Sequence, residues 1–552
     1  MKAIYLLFGL VLLGLFSSCE DFLEEEPKAN LAVESFYKDM NDITLAVNGT
    51  VERALSGSGT MGSRGFSAIA YGDDIMTTNH GENKAQQREI DQFNVSVGNS
   101  QLNDAWNGSY EVINQANAVL GNYESAITES NLTEVEAMVS IARFYRALYY
   151  FELVRGWGDI PMPTSSVVDT KLARSPAADV FNLVANDLEE AIKWLPNQQG
   201  SNRAYPTVWA AKTLLADVYM TMAGWPLKMG AEYYGKALTL LTDVKDKSGA
   251  SLEPDYATLY TYHFDEGKNY VKEAEYNNEF IFQLIGIYRT VQGYGYATNM
   301  GVSYVDSRFG GWNDIVVEIG YFQRFPRDDR FAFTFNEFGH QRPTDNEPNP
   351  NETVPWQQFN SGHPTFKRLQ YNWLIPFEWF RDNYRNFDVY RYTEVLLMFA
   401  EADAMVDNDV SADAYAAINS VRERANKSKI DAGADPISFH LEAGLSAEAF
   451  RDAVLEEVSF EIGGDGNKRW FDLQRTEKVE WANARKADFM YNEDGSDLTF
   501  NNDGTNTDEP YPARRLFDLP PLNSIDKGRY YMPIPAGEIL LNANLEQYPP
   551  YN

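Results

Sequence analysis

The sequence predicts a fold class dominated by α-helix, in which a scaffold of helical hairpins supports a loop-rich variable region and strands are few and short. Three observations predict it. Apolar residues recur at steps of three and four over long stretches in both halves of the chain. Short links separate consecutive helical stretches, which favours antiparallel helix pairs. From about 250 to 385 the periodicity fades, and glycine, asparagine, proline and aromatic residues become frequent.

The N-terminus has the pattern of an export signal. Lys2 supplies a positive charge, residues 3–16 are apolar and uncharged, and small residues precede Cys19. The apolar stretch is far shorter than the ~20 residues that a membrane-spanning helix needs. Because Cys19 is the only cysteine, we expect a lipoprotein signal peptide over 1–18, cleavage before Cys19 and acylation of its thiol. The alternative is an ordinary secretory signal that ends near a cysteine by chance.

Behind that signal we expect an acylated acidic tether and then a single domain. The tether would cover 19–30, where four acidic residues follow Glu20, and the domain would cover 31–552. Since no further cysteine is present, a packed core rather than disulfides must stabilise the domain. Within it we expect the helical scaffold at about 31–56, 99–246 and 390–475, and the loop-rich ligand region at about 60–98 and 250–388.

Eight helices are expected along the scaffold from their apolar faces and end signals. In the first, Leu102, Trp106 and Tyr110 fall on one face. Ser175 and Pro176 have the pattern of an N-cap and a first-turn proline. The spacing between hairpins is irregular, so the pattern supports a helical-hairpin solenoid without a fixed repeat. The expected helices cover 99–122, 132–155, 176–195, 206–223, 231–245, 391–406, 412–426 and 446–462.

The middle and the end of the chain read differently from the scaffold. NEFIFQLIG at 278–286 is expected to be a strand or a buried extended run. The last ninety residues are expected to be mostly irregular. A long irregular stretch in a compact protein is usually functional, so the middle is expected to carry the ligand site.

The charge of the chain narrows the classes of partner. Asp and Glu number 80 against 47 Lys and Arg, which gives a formal net charge of −33. Nucleic acids and anionic lipid surfaces select basic patches, so neither is an expected partner. A neutral ligand fits this charge better. Aromatic residues make up 14% of the chain, and either the core or a ligand site must explain so high a content.

A search for catalytic and metal-binding motifs assigns none. The five histidines form no H-E-x-x-H pattern, and the chain has neither a phosphate-binding G-x-x-x-x-G-K-[ST] loop nor a G-x-S-x-G nucleophile elbow. We therefore expect no catalytic residue, no metal ligand and no cofactor. Residues 499–509 resemble a calcium loop loosely, with Thr499 in place of the first aspartate, so a structural Ca²⁺ stays open. A glycosidase pair of carboxylates also stays open, since an acidic chain offers many accidental pairs.

Aromatic residues in loops are the better lead. Sugars present apolar C–H faces and hydroxyl edges, which a site can meet with aromatic rings beside Asp, Asn, Arg and His side chains. The stretches 66–90 and 292–313 combine these residue types. The alternative is that their aromatic side chains pack in the core. The candidate ligand-binding residues are Asp73, His80, Arg88, Tyr294, Tyr296 and Trp312.

Four parts of the chain carry recognisable motifs: WNGSYEVINQANAVL (106–120), YFELVRGWGDIPMPT (150–164), RYTEVLLMFAEADA with INSVRERA (391–404 and 418–425), and YYMPIPAGEILLNANLEQYPPY (530–551). Taken in this order, they resemble the SusD/RagB family of outer-membrane lipoproteins. Each is a weak signal alone, but together they span nearly the whole mature chain behind a lipoprotein signal. One segment departs from the family pattern: Val458 stands where an arginine is expected in EEVSFEIGGDGNKRWFDLQR, which puts a local ion pair in doubt.

The resemblance implies one domain of tetratricopeptide-like hairpins with a variable loop region. It implies a cell-surface protein held in the outer membrane by acylated Cys19, and the acidic residues behind that cysteine resemble a surface-export signal. It implies non-catalytic binding of an oligosaccharide or polysaccharide nutrient and its delivery to a SusC-like TonB-dependent transporter. A peptide-capturing member of the same family is one alternative, and a surface glycoside hydrolase is another.

Overall fold

The computed structural model describes residues 36–56, 69–78, 85–259, 277–285, 315–340, 353–356, 363–367, 386–464, 467–490 and 526–551. The expected signal, Cys19 and the expected tether lie outside these residues. The helices are α1 Met40–Ser56, α2 Ala85–Asp91, α3 Ser100–Leu120, α4 Leu132–Trp157, α5 Ala177–Trp194, α6 Val208–Ala223, α7 Ala231–Lys247, α8 Ile319–Arg324, α9 Phe331–Thr334, α10 Tyr392–Val406, α11 Ala412–Ala425, α12 Lys427–Asp431, α13 Ala447–Ile462, α14 Lys468–Arg475, α15 Val479–Met490 and α16 Ala536–Leu541. The strands are β1 Met76–Thr78, β2 Ile160–Pro161, β3 Arg174–Ser175, β4 Phe280–Leu284, β5 Ile315–Val317, β6 Phe335–Asn336, β7 Phe338–His340, β8 Thr353–Pro355, β9 Thr365–Phe366 and β10 Phe387–Arg391.

The helices pack in sequence order as a solenoid. Helix α3 packs on α4, α4 on α5, α5 on α6 and α6 on α7, while α1 covers α3 and α4. Helix α7 then packs on α10, which also contacts α11 and α13. The chain between α7 and α10 is therefore an insertion into a helical scaffold. The fold class is confirmed, and the eight expected helices begin and end within two residues of their predicted bounds.

The strands form five antiparallel pairs of two in the part of the chain that is described: β1–β5, β2–β3, β4–β10, β6–β9 and β7–β8. The strand expected at 278–286 is β4, and its partner β10 runs directly into α10. This pair therefore joins the end of the insertion to the solenoid. Among the described residues no helix is long and apolar enough to cross a bilayer.

Tyrosines of α4 explain part of the high aromatic content. Tyr145, Tyr149 and Tyr150 are fully buried. Their hydroxyl groups donate to the backbone oxygens of Ala204, Ala54 and Pro163 at 2.8, 3.0 and 2.6 Å. A buried tyrosine needs such a partner for its hydroxyl group. Because the three acceptors lie on different segments, α4 is the central helix around which α1, the link after α5 and the link before β3 are fixed.

The start of α5 differs from the sequence prediction by one residue. Ser175 pairs with Ile160 in the β2–β3 ladder, and Pro176 is the N-cap residue. Proline has no side-chain acceptor, so the first helical N–H is capped from elsewhere: Ala177 N donates to Asp159 Oδ1 at 2.8 Å. A cap supplied across the ladder cannot be seen in the local sequence.

The last ninety residues contain more helix than the sequence predicts. Helices α14 and α15 follow α13 closely, and α15 has no strong apolar periodicity. Polar contacts to distant segments hold it instead: Lys486 donates to Asp91 Oδ1 at 3.0 Å, and Asn483 donates to the Gly72 backbone oxygen at 3.3 Å. Helix α14 lies within the scaffold range expected at 390–475, but α15 was not predicted, because tertiary contacts decide this helix.

The end of α6 allows a prediction about close backbone approach. Gly224 follows α6, and a Cβ there would overlap the Arg475 carbonyl oxygen, which accepts a 2.8 Å bond from Trp225 N. Gly224→Ala should therefore lower the free energy of unfolding by about 1–3 kcal/mol. Gly235, within α7, faces open space, so Gly235→Ala should raise it by about 0.5–1 kcal/mol. Denaturant unfolding of both variants measures the effect, and equal shifts of one sign would contradict this account.

Candidate functional site

Strand β1 belongs to the first stretch expected to bind ligand, and its partner β5 begins two residues after the second stretch ends; in this pair Thr78 lies opposite Ile315. His80 follows Thr78 by two positions, and Trp312 precedes Ile315 by three. Because Thr78 ends β1 and Ile315 begins β5, the chain toward His80 and the chain from Trp312 meet the ladder at the same end. Of the six candidate residues, the structure describes Asp73 and Arg88; outside the described residues are His80, Tyr294, Tyr296 and Trp312.

Asp73 lies in the interior rather than at a surface. Its side chain is 0% exposed, and its Oδ1 accepts bonds from Ile75 N at 2.8 Å and Met76 N at 3.1 Å. Its Oδ2 has no hydrogen-bond partner among the described residues. Asp73 thus fixes the turn that leads into β1, and a ligand contact by Asp73 stays a prediction.

Arg88 lies in the last turn of α2 and is partly exposed. Helix α2 is fixed to β1 through Asp91, whose Oδ2 accepts bonds from the Thr77 hydroxyl group at 2.8 Å and from Thr78 N at 3.3 Å. Lys486 of α15 donates to the other oxygen of the same carboxylate. Arg88 is therefore presented from a helix that the scaffold holds in place.

Asp74, next to the candidate Asp73, is the centre of a buried ion cluster. Arg469 donates to its two oxygens at 2.8 and 3.0 Å, and Arg324 donates at 2.7 Å. Arg485 lies 3.5 Å away. Burial alone would raise the pKa of Asp74, but Arg469 and Arg324 outweigh it and hold that pKa well below its usual range. Helices α8, α14 and α15 are thereby tied to the segment that leads into β1.

Asp73 and Glu318, two carboxyl groups that interact with Asp74, have raised pKa values, whereas the pKa of Asp74 is lowered. Burial, with a smaller contribution from the charge of Asp74, raises the pKa of Asp73 to about 7. Burial likewise raises the pKa of Glu318 to about 7, although Lys486 and Arg324 oppose the shift. Glu318 caps α8 by accepting a 3.1 Å bond from Tyr321 N. Burial therefore favours the protonated form of both carboxyl groups.

Carboxyl groups with raised pKa values invite comparison with glycosidases, whose general acid has such a pKa. Asp73 and Glu318 are 0% and 1% exposed, so neither reaches a substrate in this conformation. Their oxygens accept backbone bonds that fix a turn and a helix start. In the part of the chain that is described, no group of three or more His, Cys, Asp and Glu residues is placed to hold a metal ion.

The raised pKa values predict how stability depends on pH. Asp73 and Glu318 hold protons more tightly in the folded protein than at the ordinary values of 3.8 and 4.5. Their stabilising contribution to the free energy of unfolding is therefore fully present below pH 3.8 and is lost as the pH rises through about 7. Because Asp73→Asn keeps the turn acceptor and removes the titration, it should cut the loss of stability between about pH 5 and pH 7 by about 2 kcal/mol.

Asp74→Asn is the matched control for this prediction. The Asp74 carboxylate has a lowered pKa and three arginine neighbours. Its stabilising contribution to the free energy of unfolding is therefore present above pH 3.8 and is lost as the pH falls. The asparagine variant should be less stable than wild type at pH values near neutral. Denaturant unfolding of both variants over this pH range is the measurement. A D73N variant with the same pH slope as wild type would contradict the burial of an ionisable Asp73.

An open groove of about 920 Å³ lies between α1 and the link from α5 to α6. Its volume is within the range of small-molecule sites. The α1 wall ends at Leu55, just before residues 57–68, and Ile285 forms another part of the lining just before residues 286–314. The groove therefore borders the points where the expected ligand loops leave the scaffold. Its lining residues are Leu45, Asn48, Gly49, Val51, Glu52, Leu55, Gly200, Ser201, Asn202, Arg203, Ala204 and Ile285.

The link from α5 to α6 gives the groove its polar wall. Tyr205 donates to Asn48 Oδ1 at 2.6 Å, which fixes the link against α1. Gln199 donates to the backbone oxygens of Asn202 and Tyr205, both at 3.1 Å. Arg203 lines this groove and also a small cavity of about 30 Å³ beside β4. The lining therefore combines amide, hydroxyl and guanidinium side chains with apolar ones, a mixture that suits sugar hydroxyl groups and C–H faces.

The sequence prediction did not include this wall. The link reads PNQQGSNRAYP, with a proline at each end and polar residues between. That composition marks a loop, but it does not reveal that α1 approaches from the other side. The partners of Asp74 were missed for the same reason, since Arg324, Arg469 and Arg485 are far away in sequence.

Comparisons with known proteins cover most of the chain. Residues 278–551 match the family model described as the SusD family, and residues 21–220 match the model described as "starch-binding associating with outer membrane". A SusD-like protein of Formosa agariphila is 25% identical over 561 aligned residues, which cover 98% of this chain and 98% of that protein.

Solved structures agree with the fold. A SusD homologue from Bacteroides thetaiotaomicron superposes with a TM-score of 0.77 at 20% identity, covering 95% of this chain and 99% of the other. Surface glycan-binding protein A from Bacteroides uniformis superposes with a TM-score of 0.69 at 19% identity, covering 92% and 99%. At these identities the likeness shows the fold alone, which in the described residues is a helical solenoid with an insertion between α7 and α10.

Proposed function

The chain belongs to the SusD/RagB family, and we propose that it is a non-catalytic cell-surface protein that binds an oligosaccharide or polysaccharide nutrient. In this proposal it delivers the glycan to a SusC-like TonB-dependent transporter in the outer membrane. The observation that carries the proposal is the match of two family models to 21–220 and 278–551. One of these models is described as associating with the outer membrane, which supports the same location for this chain.

The electrostatics of the described residues support capture rather than hydrolysis. Hydrolysis needs an exposed acid and a second carboxylate at a fixed distance across a bound sugar. The carboxyl groups with pKa values of about 7 are buried and serve as caps. Asp74 forms ion pairs with Arg324, Arg469 and Arg485. The cluster beneath β1 therefore works as a support for the loops.

We place the glycan at the loop region, with His80, Arg88 and Trp312 around the exit from the β1–β5 pair. Tyr294 and Tyr296 belong to the stretch that begins beyond Ile285, at the edge of the groove. Two described features border these stretches, the β1–β5 pair and the groove at Ile285, and both support this placement. Asp73 enters the proposal as the residue that shapes the turn before β1.

In the same proposal Cys19 is acylated and residues 19–30 are the tether that keeps the domain beside its transporter. A lipid anchor raises the effective concentration of two partners in one membrane without any new contact between them. The protein needs no cofactor for this role. A structural Ca²⁺ at 499–509 stays a prediction, and those residues lie outside the described part of the chain.

Calorimetric titration against a panel of glycans and peptides tests the proposed ligand class. The panel should hold starch oligosaccharides, β-glucans, xylans and mixed peptides of similar size. We expect saturable binding to one glycan class and none to peptides. Saturable binding to peptides alone would support the peptide-capturing alternative and contradict the proposed glycan cargo.

A further inference from the structure

One buried lysine, Lys486 of α15, connects the scaffold to the ligand stretch that contains β1. Its side chain is 1% exposed, and its Nζ donates to Asp91 Oδ1 at 3.0 Å. The other oxygen of Asp91 accepts bonds from the hydroxyl groups of Thr77 and Thr78 at 2.8 and 3.3 Å, and from Thr78 N at 3.3 Å. Thr78 is the last residue of β1, and the candidate His80 follows it by two positions. The Asp91–Lys486 pair therefore fixes the end of β1 from which the ligand stretch continues.

The same lysine belongs to a buried cluster in which carboxyl groups outnumber cationic groups. Besides Asp91, the charges of Glu318 and Asp73 act on Lys486. Glu318 lies directly beside the turn into β1, because its backbone N donates to the Ile75 backbone oxygen at 2.9 Å. In the described part of the chain, the cluster consists of the carboxyl groups of Asp73, Asp74, Asp91, Glu318 and Glu456 and the cationic groups of Arg324, Arg469, Arg485 and Lys486.

The charges of this cluster favour one bound proton. Five ionised carboxylates beside four cations would leave one uncompensated negative charge. An uncompensated charge is costly to bury, whereas one bound proton makes the cluster neutral. Asp74, Asp91 and Glu456 each have a cationic partner, at 2.8, 3.0 and 2.9 Å. The bonds to Asp73 and Glu318 come instead from backbone N–H groups, so the proton belongs on one of these two.

Two further observations agree with a proton on Asp73 or Glu318. The Oδ2 atom of Asp73 has no hydrogen-bond partner among the described residues, although the side chain is 0% exposed. Burial raises the pKa of both groups to about 7, and the charge of Lys486 opposes the shift in each. Once either group loses its proton, its negative charge attracts Lys486. It then competes with Asp91 for the same ammonium group, and the hold on the end of β1 weakens.

We propose that Asp91 and Lys486 are positioning residues for glycan binding, and that a proton on Asp73 or Glu318 keeps Lys486 on Asp91. This inference rests on the proposed function. It deepens that function by naming residues that orient the ligand stretch from the interior. Glycan and proton then favour the same arrangement of β1, so each raises the affinity for the other. Glycan affinity should therefore fall as the pH rises through about 7.

A histidine on the same stretch must be separated from the cluster. His80 is a candidate ligand residue, and an ordinary histidine titrates near pH 6.5. Glu318 is buried, caps α8 and is not a candidate ligand residue. Glu318→Gln therefore changes the titration of the cluster and leaves His80 in place. With glutamine at this position, four carboxyl groups face four cations, and the charge excess that favours the bound proton is gone.

The test measures the glycan affinity of the full protein by calorimetric titration between about pH 6 and pH 8, where histidines and these carboxyl groups titrate. The probe is the starch oligosaccharide, β-glucan or xylan that wild type binds. The variants are Glu318→Gln, which keeps an acceptor for the cap, and Lys486→Met, which removes the ammonium group. The matched controls are Glu480→Gln and Lys478→Met, at residues that pair with Tyr530 and Asp452 outside the cluster.

Wild type should bind the glycan roughly three- to tenfold more weakly at the upper pH, since a change of one pKa unit on binding alters affinity by up to tenfold. Glu318→Gln should flatten this dependence. Lys486→Met should bind weakly at every pH, and both controls should behave as wild type does. Thermal unfolding checks that each variant is folded, and Glu318→Gln decides the result where Lys486→Met does not fold.

The remaining outcomes separate this inference from the proposed function. A wild-type affinity that is constant over the pH range overturns the inference and leaves glycan binding standing. A pH dependence that Glu318→Gln retains in full also overturns it, and assigns the titration to another group such as His80. Flattening by Glu480→Gln to the same extent overturns it as well, because the effect would not belong to the cluster. A wild type that binds none of the glycans at any pH overturns the proposed function, and the inference with it.

Discussion

Replacing Glu461 by alanine is expected to lower the free energy of unfolding by about 3–5 kcal/mol, because it removes a carboxylate that three buried arginines share and leaves the buried cluster with one negative charge fewer. Glu461 is 0% exposed on α13. It accepts bonds from Arg330 at 3.1 Å and Arg391 at 3.4 Å, and a closer one from Arg424. These arginines outweigh the effect of burial and lower the pKa of Glu461.

The same cluster ties the inserted region to the scaffold. Glu279, just before β4, pairs with Arg391 and Arg424 at 2.9 and 3.0 Å. Arg330, just before α9, pairs with Glu457 at 2.6 Å. Loss of Glu461 should therefore loosen the support of the ligand loops as well as the solenoid.

Denaturant unfolding of Glu461→Ala measures this effect, with Glu448→Ala as the matched control. Glu448 lies on the same helix and is exposed, so its replacement should change the free energy of unfolding by about 0.5 kcal/mol or less. Similar destabilisation by the two substitutions would show that the Glu461 cluster is not what stabilises the junction.

Replacing Trp312 by alanine is expected to weaken glycan binding by about ten- to a hundredfold. An aromatic ring stacked on a ligand is worth roughly 1–3 kcal/mol where stacking has been measured on nucleic-acid bases, and 1.4 kcal/mol corresponds to tenfold. Trp312 itself lies outside the described residues, and it precedes Ile315 of the β1–β5 pair by three positions.

Calorimetric titration with the glycan that wild type binds measures the effect of Trp312→Ala. The control is Tyr233→Ala, at a partly buried aromatic residue of α7 that contacts Tyr219 of α6. We expect glycan affinity to be unchanged in the control. Normal affinity in the Trp312 variant would mean that the stacking ring is a different one.

The helical scaffold could be predicted from sequence because its signals are local. Apolar positions repeat at helical spacing, and Ser411 and Ser446 cap α11 and α13 with their own hydroxyl groups. The local signal placed the N-cap of α5 one residue too early, because Asp159 supplies the cap from outside the helix. Local signals also failed at α15, which polar contacts to Gly72 and Asp91 fix in place.

The candidate site was harder to predict because the type of a residue does not reveal whether its side chain is buried or exposed. Asp73 and Arg88 belong to one polar stretch, yet the first is buried beneath β1 and the second is partly exposed on α2. The departure at Val458 has a similar explanation. Glu457 and Glu461 pair with arginines from other segments, including Arg330 and Arg422, so the helix does not need an arginine of its own.

The central claim is that this protein captures a glycan without changing it. The most direct measurement incubates the purified protein with an oligosaccharide mixture between about pH 5 and pH 8, recovers the bound fraction and compares its chain-length distribution with the input by chromatography. The account predicts that a saturable fraction is retained and that every recovered oligosaccharide has its original length. Shorter products that increase with time and with protein concentration would contradict it and show that the protein is an enzyme.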